Sequence, residues 1–414
     1  MKEKAKKHLK KRKRPALTAG RLLSAVMCFQ VICFLRLILS ESVYEAPIAL
    51  FGIGAFMIFE VVYYYLVKRF LGGGGVLEIS AFFLSGVGLF ALAGTSPSAV
   101  LWQLFAFFIG ICFYVVFTLF LSDLDRVMKY KKWIIAASLF LLVLNLTLGK
   151  VIGGSQNWIR IGPLSMQPSE FVKIAFILVG STTLERMQSS NHLTWFIVFF
   201  GICMGSLAWM GDLGTACVFF ATFLVLCFIR SGRLGTIILM CSGAVVGGGA
   251  MLVAKPYIAR RFSVWRHVWS DPNGLGYQQT RTLIAIASGG LLGLGPGKGY
   301  LKDVPAANTD LMFGLVSEEW GFLLATLVLF IYIGWVVLAI RGASAAKSSF
   351  YAIAAVSAAC LLLFQAGLNV FGVTDIIPLT GITLPFVSRG GSSMIASWGL
   401  LAFLNFVPRL GEED

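Results

Sequence analysis

The chain has 414 residues, 58% hydrophobic and 13% charged, against roughly 45–50% apolar and 25% charged in soluble domains. That balance excludes a soluble globular enzyme and predicts an integral membrane protein. The net charge of +15 does not point to nucleic acid, because much of it lies in the opening MKEKAKKHLKKRKR beside an apolar run, where anionic lipid and topology setting account for it.

Apolar stretches of about 20 residues, long enough to cross about 30 Å of hydrocarbon as helices, recur along the whole chain, and β-barrel alternation does not. The run from Leu22 to Ser40 is longer than a signal-peptide core and lacks an A-x-A-like cleavage site, so it reads as the first span. Further spans are expected near 47–67, 75–93, 99–121, 132–149, 169–184, 193–210, 213–230, 234–253, 312–340, 349–372 and 392–408, about twelve in all. The connectors KRF, DRVMKYKK, RSGR and RGASAAK are basic, whereas SESVYEAP and GTSPSA on the other side carry no Lys or Arg, which predicts that both termini are cytoplasmic. The eight cysteines sit inside apolar runs without a C-x-x-C and read as small buried hydrophobes. His8, His192 and His267 are scattered, and no metal ligand set is expected.

Three long connectors fall on the outward side. One, from Lys150 to Glu170, carries Trp158 and Arg160. A second, from Ala254 to Leu311, carries Lys255, Arg260, Arg261, Arg266, Arg281, Lys298 and Lys302. The third runs from Thr374 to Ser393. Chemistry is therefore expected on this face, since long structureless loops are usually functional or disordered.

Charges at the outer helix ends sharpen that expectation. Glu170 and Lys173 share one helical face at i, i+3, Asp212 stands at an outward turn, and Asp310 opens the tenth span. On a helix beginning at Asp310, Gly314 and Glu318 fall on the same stripe, with Glu318 about 12 Å further in. Ionisable groups within spans are costly and usually face water or one another. Two readings stand for Glu170, Lys173, Glu318 and Glu319: a polar cavity, or ion pairs such as Lys173 with Glu318 or Glu319 that only orient helices.

The Gly-rich Ser288–Tyr300 stretch lacks the spacing of a P-loop and argues for tight packing more than for a phosphate site. Ser388–Ser393 opens the last span with backbone amides and Arg389 that an anion would meet. Together the residues fit a lipid-linked anionic substrate, with basic side chains at a phosphate and Asp310 as general base. Composition alone leaves catalysis and transport both open.

NWIRIGPLSMQPSEFVKIA (157–175), DLGTA (212–216), GLGYQQTRTLIAIASGGLLGLGPGKG (274–299), PAANTDLMFGLVSEEWGF (305–322) and IIPLTGITLPFVSRGGSSM (376–394) resemble, in that order, the motifs of the SEDS family, the FtsW, RodA and SpoVE proteins of bacterial wall growth. The resemblance covers roughly 75–408. It implies an all-α polytopic membrane protein of the cytoplasmic membrane and a peptidoglycan glycosyltransferase that polymerises lipid II on the outer face, releasing undecaprenyl diphosphate. The family's H-T-D-F motif reads Asn308, Thr309, Asp310, Leu311 here, which implies Asp310 as the catalytic base on the acceptor's 4-hydroxyl, with inversion to a β-1,4 link. Q-P-S-E-x-x-K falls on Gln167, Pro168, Ser169, Glu170 and Lys173, and E-E-x-G on Glu318, Glu319 and Gly321, residues that would line a central cavity.

Glu170, Lys173, Glu318 and Glu319, with Trp158, Arg160, Arg260, Arg261, Lys298, Ser388 and Arg389, form the expected substrate-binding set. The sequence departs from the family at Met210 and Gly211, where Q-P is usual, and at Asn308, Leu311 and Arg389. The partner implied is a class B penicillin-binding protein, and a divalent cation, Mg²⁺ or Mn²⁺, would assist at the diphosphate, although no ligand cluster is evident. The expected organisation is a basic tail at 1–21, two additional helices at 22–67, a core at 75–408 with its large outer loop 254–311, and a cytoplasmic tail at 409–414. A lipid II flippase and a non-catalytic scaffold are the alternative functions.

Overall fold

The computed structural model describes residues 19–40, 47–71, 75–152, 154–161, 164–185 and 190–407. The expected C-terminal tail 409–414 and all but the last three residues of the basic tail lie outside them.

Two helices come first, α1 (Ala19–Ile38) and α2 (Pro47–Leu71), followed by α3 (Val76–Thr95), α4 (Pro97–Leu121) and α5 (Leu124–Leu148). A small antiparallel sheet of β1 (Lys150–Ile152), β2 (Ser155–Ile161) and β3 (Leu164–Met166) then precedes α6 (Pro168–Glu185), α7 (Ser190–Met210), α8 (Leu213–Ser231) and α9 (Leu234–Ala254). Three shorter helices, α10 (Pro256–Val264), α11 (Tyr277–Gly289) and α12 (Met312–Trp320), lead to α13 (Phe322–Ala343), α14 (Ser349–Val373) and α15 (Gly391–Leu404). Local chemistry sets several boundaries. Pro97 and Pro256 open helices where no amide partner is needed. Asp123 and Asp212 cap α5 and α8 with their side chains, and Gly232, at φ 59°, ends α8.

Among the described residues, nine helices are long and apolar enough to cross a membrane: α1 to α5, α8, α9, α13 and α14. Residues Thr194–Met210 of α7 and all of α15 are shorter apolar helices, and α6 carries Glu170, Lys173 and Glu185. These criteria account for nine of the about twelve spans expected. Burial divides them sharply: 89% of the best window of α3 is inside the molecule and none of that of α9.

In hydrocarbon, apolar burial drives no association, so close packing must hold the bundle. Trp398 on α15 shows how: its ring meets Phe82, Phe107, Tyr114 and Phe386 at centroid distances of 5.4 to 5.7 Å. Gly110 admits it, since a Cβ there would stand 2.6 Å from the indole. The α1–α2 pair joins this core through Phe29 on Phe83 and Phe56 against Phe82 and Phe107, and is tied internally by a buried Gln30–Glu60 hydrogen bond of 2.9 Å.

The Gly- and Pro-rich outer connector carries the sheet, with Lys150 opposite Trp158 and Ile159 opposite Met166. Two expectations are corrected. The single helix expected over 312–340 is broken at Gly321, φ 96°, into α12 and α13. The cause is the Gly-rich loop, which inserts into the break. The amides of Leu294 and Gly295 donate to the carbonyls of Glu318 and Glu319 (2.9 and 3.0 Å), and those of Phe322 and Leu323 donate to Gly290 and Leu291 (2.9 and 3.3 Å). Neither is α12 a helix starting at Asp310, because residues 305–311 form turns ahead of Met312.

Candidate active site

Asp310 lies near the end of the turn 305–311, and three parts of the molecule hold that turn. The side-chain amide of Asn308 donates to Ser96 Oγ at 2.8 Å, and Thr95 Oγ1 donates to Asn308 Oδ1 at 2.9 Å, which ties the turn to the α3–α4 junction. Asn308 thus holds structurally where the resembling family carries His. Ser388 Oγ donates to the Thr309 carbonyl at 2.6 Å, and the Arg389 amide to that of Asn308 at 2.8 Å. Asn369 on α14 donates to the Asp310 carbonyl at 2.8 Å.

The Asp310 carboxyl looks across Gly381 at Arg261. A Cβ at Gly381 would stand 3.4 Å from Asp310 Oδ2 and 3.9 Å from Arg261 Nη1, and its φ of 72° also favours glycine. Burial raises the Asp310 pKa from 3.8 to about 6, against the pull of the Thr309 hydroxyl and the Arg261 charge, while the charge of Asp212 adds to the rise. A carboxyl held there is ionised near neutrality yet remains a usable proton acceptor.

Arg261 is itself held. Its Nη1 donates to the Leu379 carbonyl at 3.1 Å, and its guanidinium lies 5.8 Å from the centre of the Tyr257 ring. Tyr257 donates its hydroxyl to the Gly211 carbonyl and is flanked by Gly154. Gly211 has φ 74°, a backbone that proline, the usual family residue there, cannot adopt. Arg261 and Tyr257 line a cavity of about 350 Å³ with Gly154, Arg260, Gln278 and Leu379. Asp310 is not in its wall; Arg261 connects the two.

Below this level lies a buried polar network. Asp212 accepts from Asn157 Nδ2 (2.9 Å), Gln167 Nε2 (3.1 Å), Thr215 Oγ1 (2.9 Å) and the Thr215 amide (3.0 Å), joining β2, the head of α6 and α8. Lys173 pairs with Glu170 at 2.8 Å and donates to Gln365 Oε1 at 2.8 Å. Gln365 in turn donates to the Thr383 carbonyl at 3.1 Å. The expected pairing of Lys173 with Glu318 or Glu319 does not occur, because the neighbour on the same helical face satisfies it and α12 carries its glutamates elsewhere. Glu318 accepts from the amides of Tyr300 and Leu301 at 2.9 and 3.0 Å. Glu319 is fully buried against Gly94 and Gly297.

The remaining predicted residues scatter. Arg260 is exposed at the cavity. Lys298 is exposed on the Gly-rich loop, its stem near Gly295. Ser388 works inward, accepting from the Leu384 amide at 2.8 Å besides donating to Thr309, and Arg389 is exposed. Trp158 is half-buried and Arg160 exposed on β2. The sequence reading missed Tyr257, Gln365, Asn369 and Gly381. Gln365 and Asn369, four residues apart in apolar α14, carried the signal that would have found them, since polar side chains within a span usually bond across helices.

Among the described residues, no group of three His, Cys, Asp or Glu side chains could hold a metal ion. The two carboxylates facing this region do not make a cage either: Asp212 is filled by its four donors, and Asp310 shares its surroundings with Arg261.

Residues 70–409 match the FtsW/RodA/SpoVE family, described as cell cycle protein. Stage V sporulation protein E of Bacillus subtilis is 33% identical over 69% of this chain and 81% of its own length. Peptidoglycan glycosyltransferase RodA of Mycobacterium tuberculosis (strain H37Rv) is 30% identical over 74% of this chain and 70% of its own. The probable peptidoglycan glycosyltransferase FtsW of Bacillus subtilis is 31% identical over 75% and 82%. The rod shape determining protein RodA of Thermus thermophilus shares the fold, with a TM-score of 0.60 at 24% identity over 81% of this chain and 96% of that one. So does a chain from a peptidoglycan synthase complex, with a TM-score of 0.66 at 24% identity over 79% and 95%. All of α1 and most of α2 precede the family match. From α3 onward, in sequence and in fold, this membrane protein belongs to the FtsW/RodA/SpoVE family.

Proposed function

We propose that the chain is a peptidoglycan glycosyltransferase that polymerises lipid II on the outer face of the bacterial cytoplasmic membrane. The observation that carries the reading is Asp310: a carboxyl raised to about 6, set in a turn held from three sides, across a glycine from an arginine that lines a cavity. The names of the relatives support it. In this mechanism the ionised Asp310 accepts the proton of the acceptor's 4-hydroxyl as that oxygen bonds to the donor's anomeric carbon. The bond from that carbon to the diphosphate breaks on the opposite face, and the leaving group carries away the electron pair as undecaprenyl diphosphate. Inversion gives the β-1,4 link. Arg261 and Arg260 supply positive charge for the departing diphosphate.

The fold likeness to a chain from a complex that coordinates polymerisation and crosslinking supports a class B penicillin-binding protein as partner. Polymerisation of labelled lipid II by the purified chain, alone and with that transpeptidase inactivated at its serine, tests the reading. Wild type should give glycan ladders, and Asp310→Asn, which keeps the shape without the basicity, should lose at least the roughly 10²–10⁴-fold that a general base supplies. Ladders that persist in the variant would move the base elsewhere. No ladders in any partnered condition would favour lipid transport or scaffolding.

A further inference from the structure

The α1–α2 pair lies almost wholly outside the family match, yet α1 reaches the Gly-rich loop seated in the α12–α13 break. Near its end, Arg36 donates from Nη1 to the Leu292 carbonyl at 3.0 Å and from Nη2 to the Gly293 carbonyl at 3.1 Å. Its guanidinium also lies 5.8 Å from the centre of the Trp320 ring, at the last residue of α12. Four residues on, Ser40 Oγ donates to the Pro296 carbonyl at 2.8 Å. Arg36 of α1 and Ser40, two residues past its end, therefore grip three carbonyls of one loop.

That loop is the plug in the α12–α13 break. Leu294 and Gly295 spend their amides on the carbonyls of Glu318 and Glu319, at the C-terminal end of α12. Its fit is close: a Cβ at Gly293 would stand 2.3 Å from the Glu319 carbonyl oxygen. A cation beside the last carbonyls of a helix is also favourably placed for the helix dipole. From there α12 runs nine residues, about 13 Å at 1.5 Å per residue, to Met312, two residues after Asp310. All nine are buried, so the helix has little room to shift on its own. Glu318 bonds the amides of Tyr300 and Leu301, which start the approach to the Asp310 turn.

We propose that Arg36 is a positioning residue: through the Gly-rich plug and the rigid α12, the N-terminal helix pair sets the place of the Asp310 turn. This rests on the glycosyltransferase reading for its catalytic consequence, but the mechanical link is observable without it. The full-length chain and its Arg36→Ala and Arg36→Lys variants would be compared in nanodiscs by hydrogen–deuterium exchange over residues 290–297 and 306–312, and by kcat and KM for lipid II.

Arg36→Ala should exchange faster in both segments, with kcat about tenfold lower and KM within about twofold, since a 1 Å misplacement at a reacting group costs about 10²-fold. Arg36→Lys, a point charge in place of a two-pronged donor, should recover part of both. Unchanged exchange over 306–312 in Arg36→Ala overturns the proposal whatever the rate, as does an unchanged kcat with active wild type. Should Arg36→Ala not fold, Arg36→Lys carries the test, and wild-type values in both measurements overturn it. Faster exchange as expected, with a wild type that makes no glycan, would leave the positioning intact and remove the glycosyltransferase reading.

Discussion

Asp310 carries its own pH signature. Burial raises its pKa to about 6, Arg261 pulls it down, and Asp212 pushes it up. A general base works ionised, so kcat/KM should climb as pH rises through about 6 and level above it. Removing the positive neighbour in Arg261→Ala should move that limb to higher pH, and a profile that stays in place would show that Asp310 does not set it. The stability sign runs the other way. The folded-state pKa lies above the ordinary 3.8, so between those values the unfolded chain has lost a proton that the folded chain still holds, and stability falls as pH rises. Above about 6 the full penalty is present. Asp310→Asn avoids it and should melt no lower than wild type at neutral pH, so its loss of activity would not be a loss of fold.

Glycines separate two elements that look alike in sequence. Gly293 sits in the plug at φ 79°, with the Glu319 carbonyl where its Cβ would go. Gly247 sits in α9 with nothing within 4 Å. Gly293→Ala should cost more than the roughly 1–2 kcal/mol of a left-handed backbone, because the clash adds to it. Gly247→Ala should be neutral or stabilise by up to about 1 kcal/mol through helix propensity. Thermal unfolding in detergent would rank them, and equal melting temperatures would show that the plug is not tightly seated.

The same elements mark how far the sequence could be read. Length and hydropathy marked nine helices that meet the span criteria among the described residues, and i, i+3 spacing placed Glu170 and Lys173 on one face, where they pair. The break at Gly321 was not legible: MFGLVSEEWGF runs on as helix-compatible sequence, and the interruption is made by a loop about 30 residues earlier in the chain. Gly381 and Tyr257 acquire meaning only when the 374–393 connector and α10 converge on the Asp310 region. Tertiary contacts outweighed local propensity at these places, and they surround the candidate site.

At the scale of the whole molecule, the question is which way the Asp310 end faces. Asp310, the sheet, the basic cavity and the plug all lie among the connectors that the Lys and Arg bias assigns to the outside, while Lys132 and Lys347 belong to the basic connectors assigned to the inside. Long translocated loops are insensitive to their own charges, so Arg260 and Arg261 do not argue against this orientation. With the eight native cysteines replaced, a membrane-impermeant maleimide on intact cells should label Asn273→Cys, an exposed position between α10 and α11. Cysteines placed at Lys132 and Lys347, also exposed, should react only after the cells are opened. The reverse pattern would turn the candidate site towards the cytoplasm. A polymerase facing inward could not deliver its glycan to the wall, so that result would remove the proposed function even if Asp310 proved to be a working base.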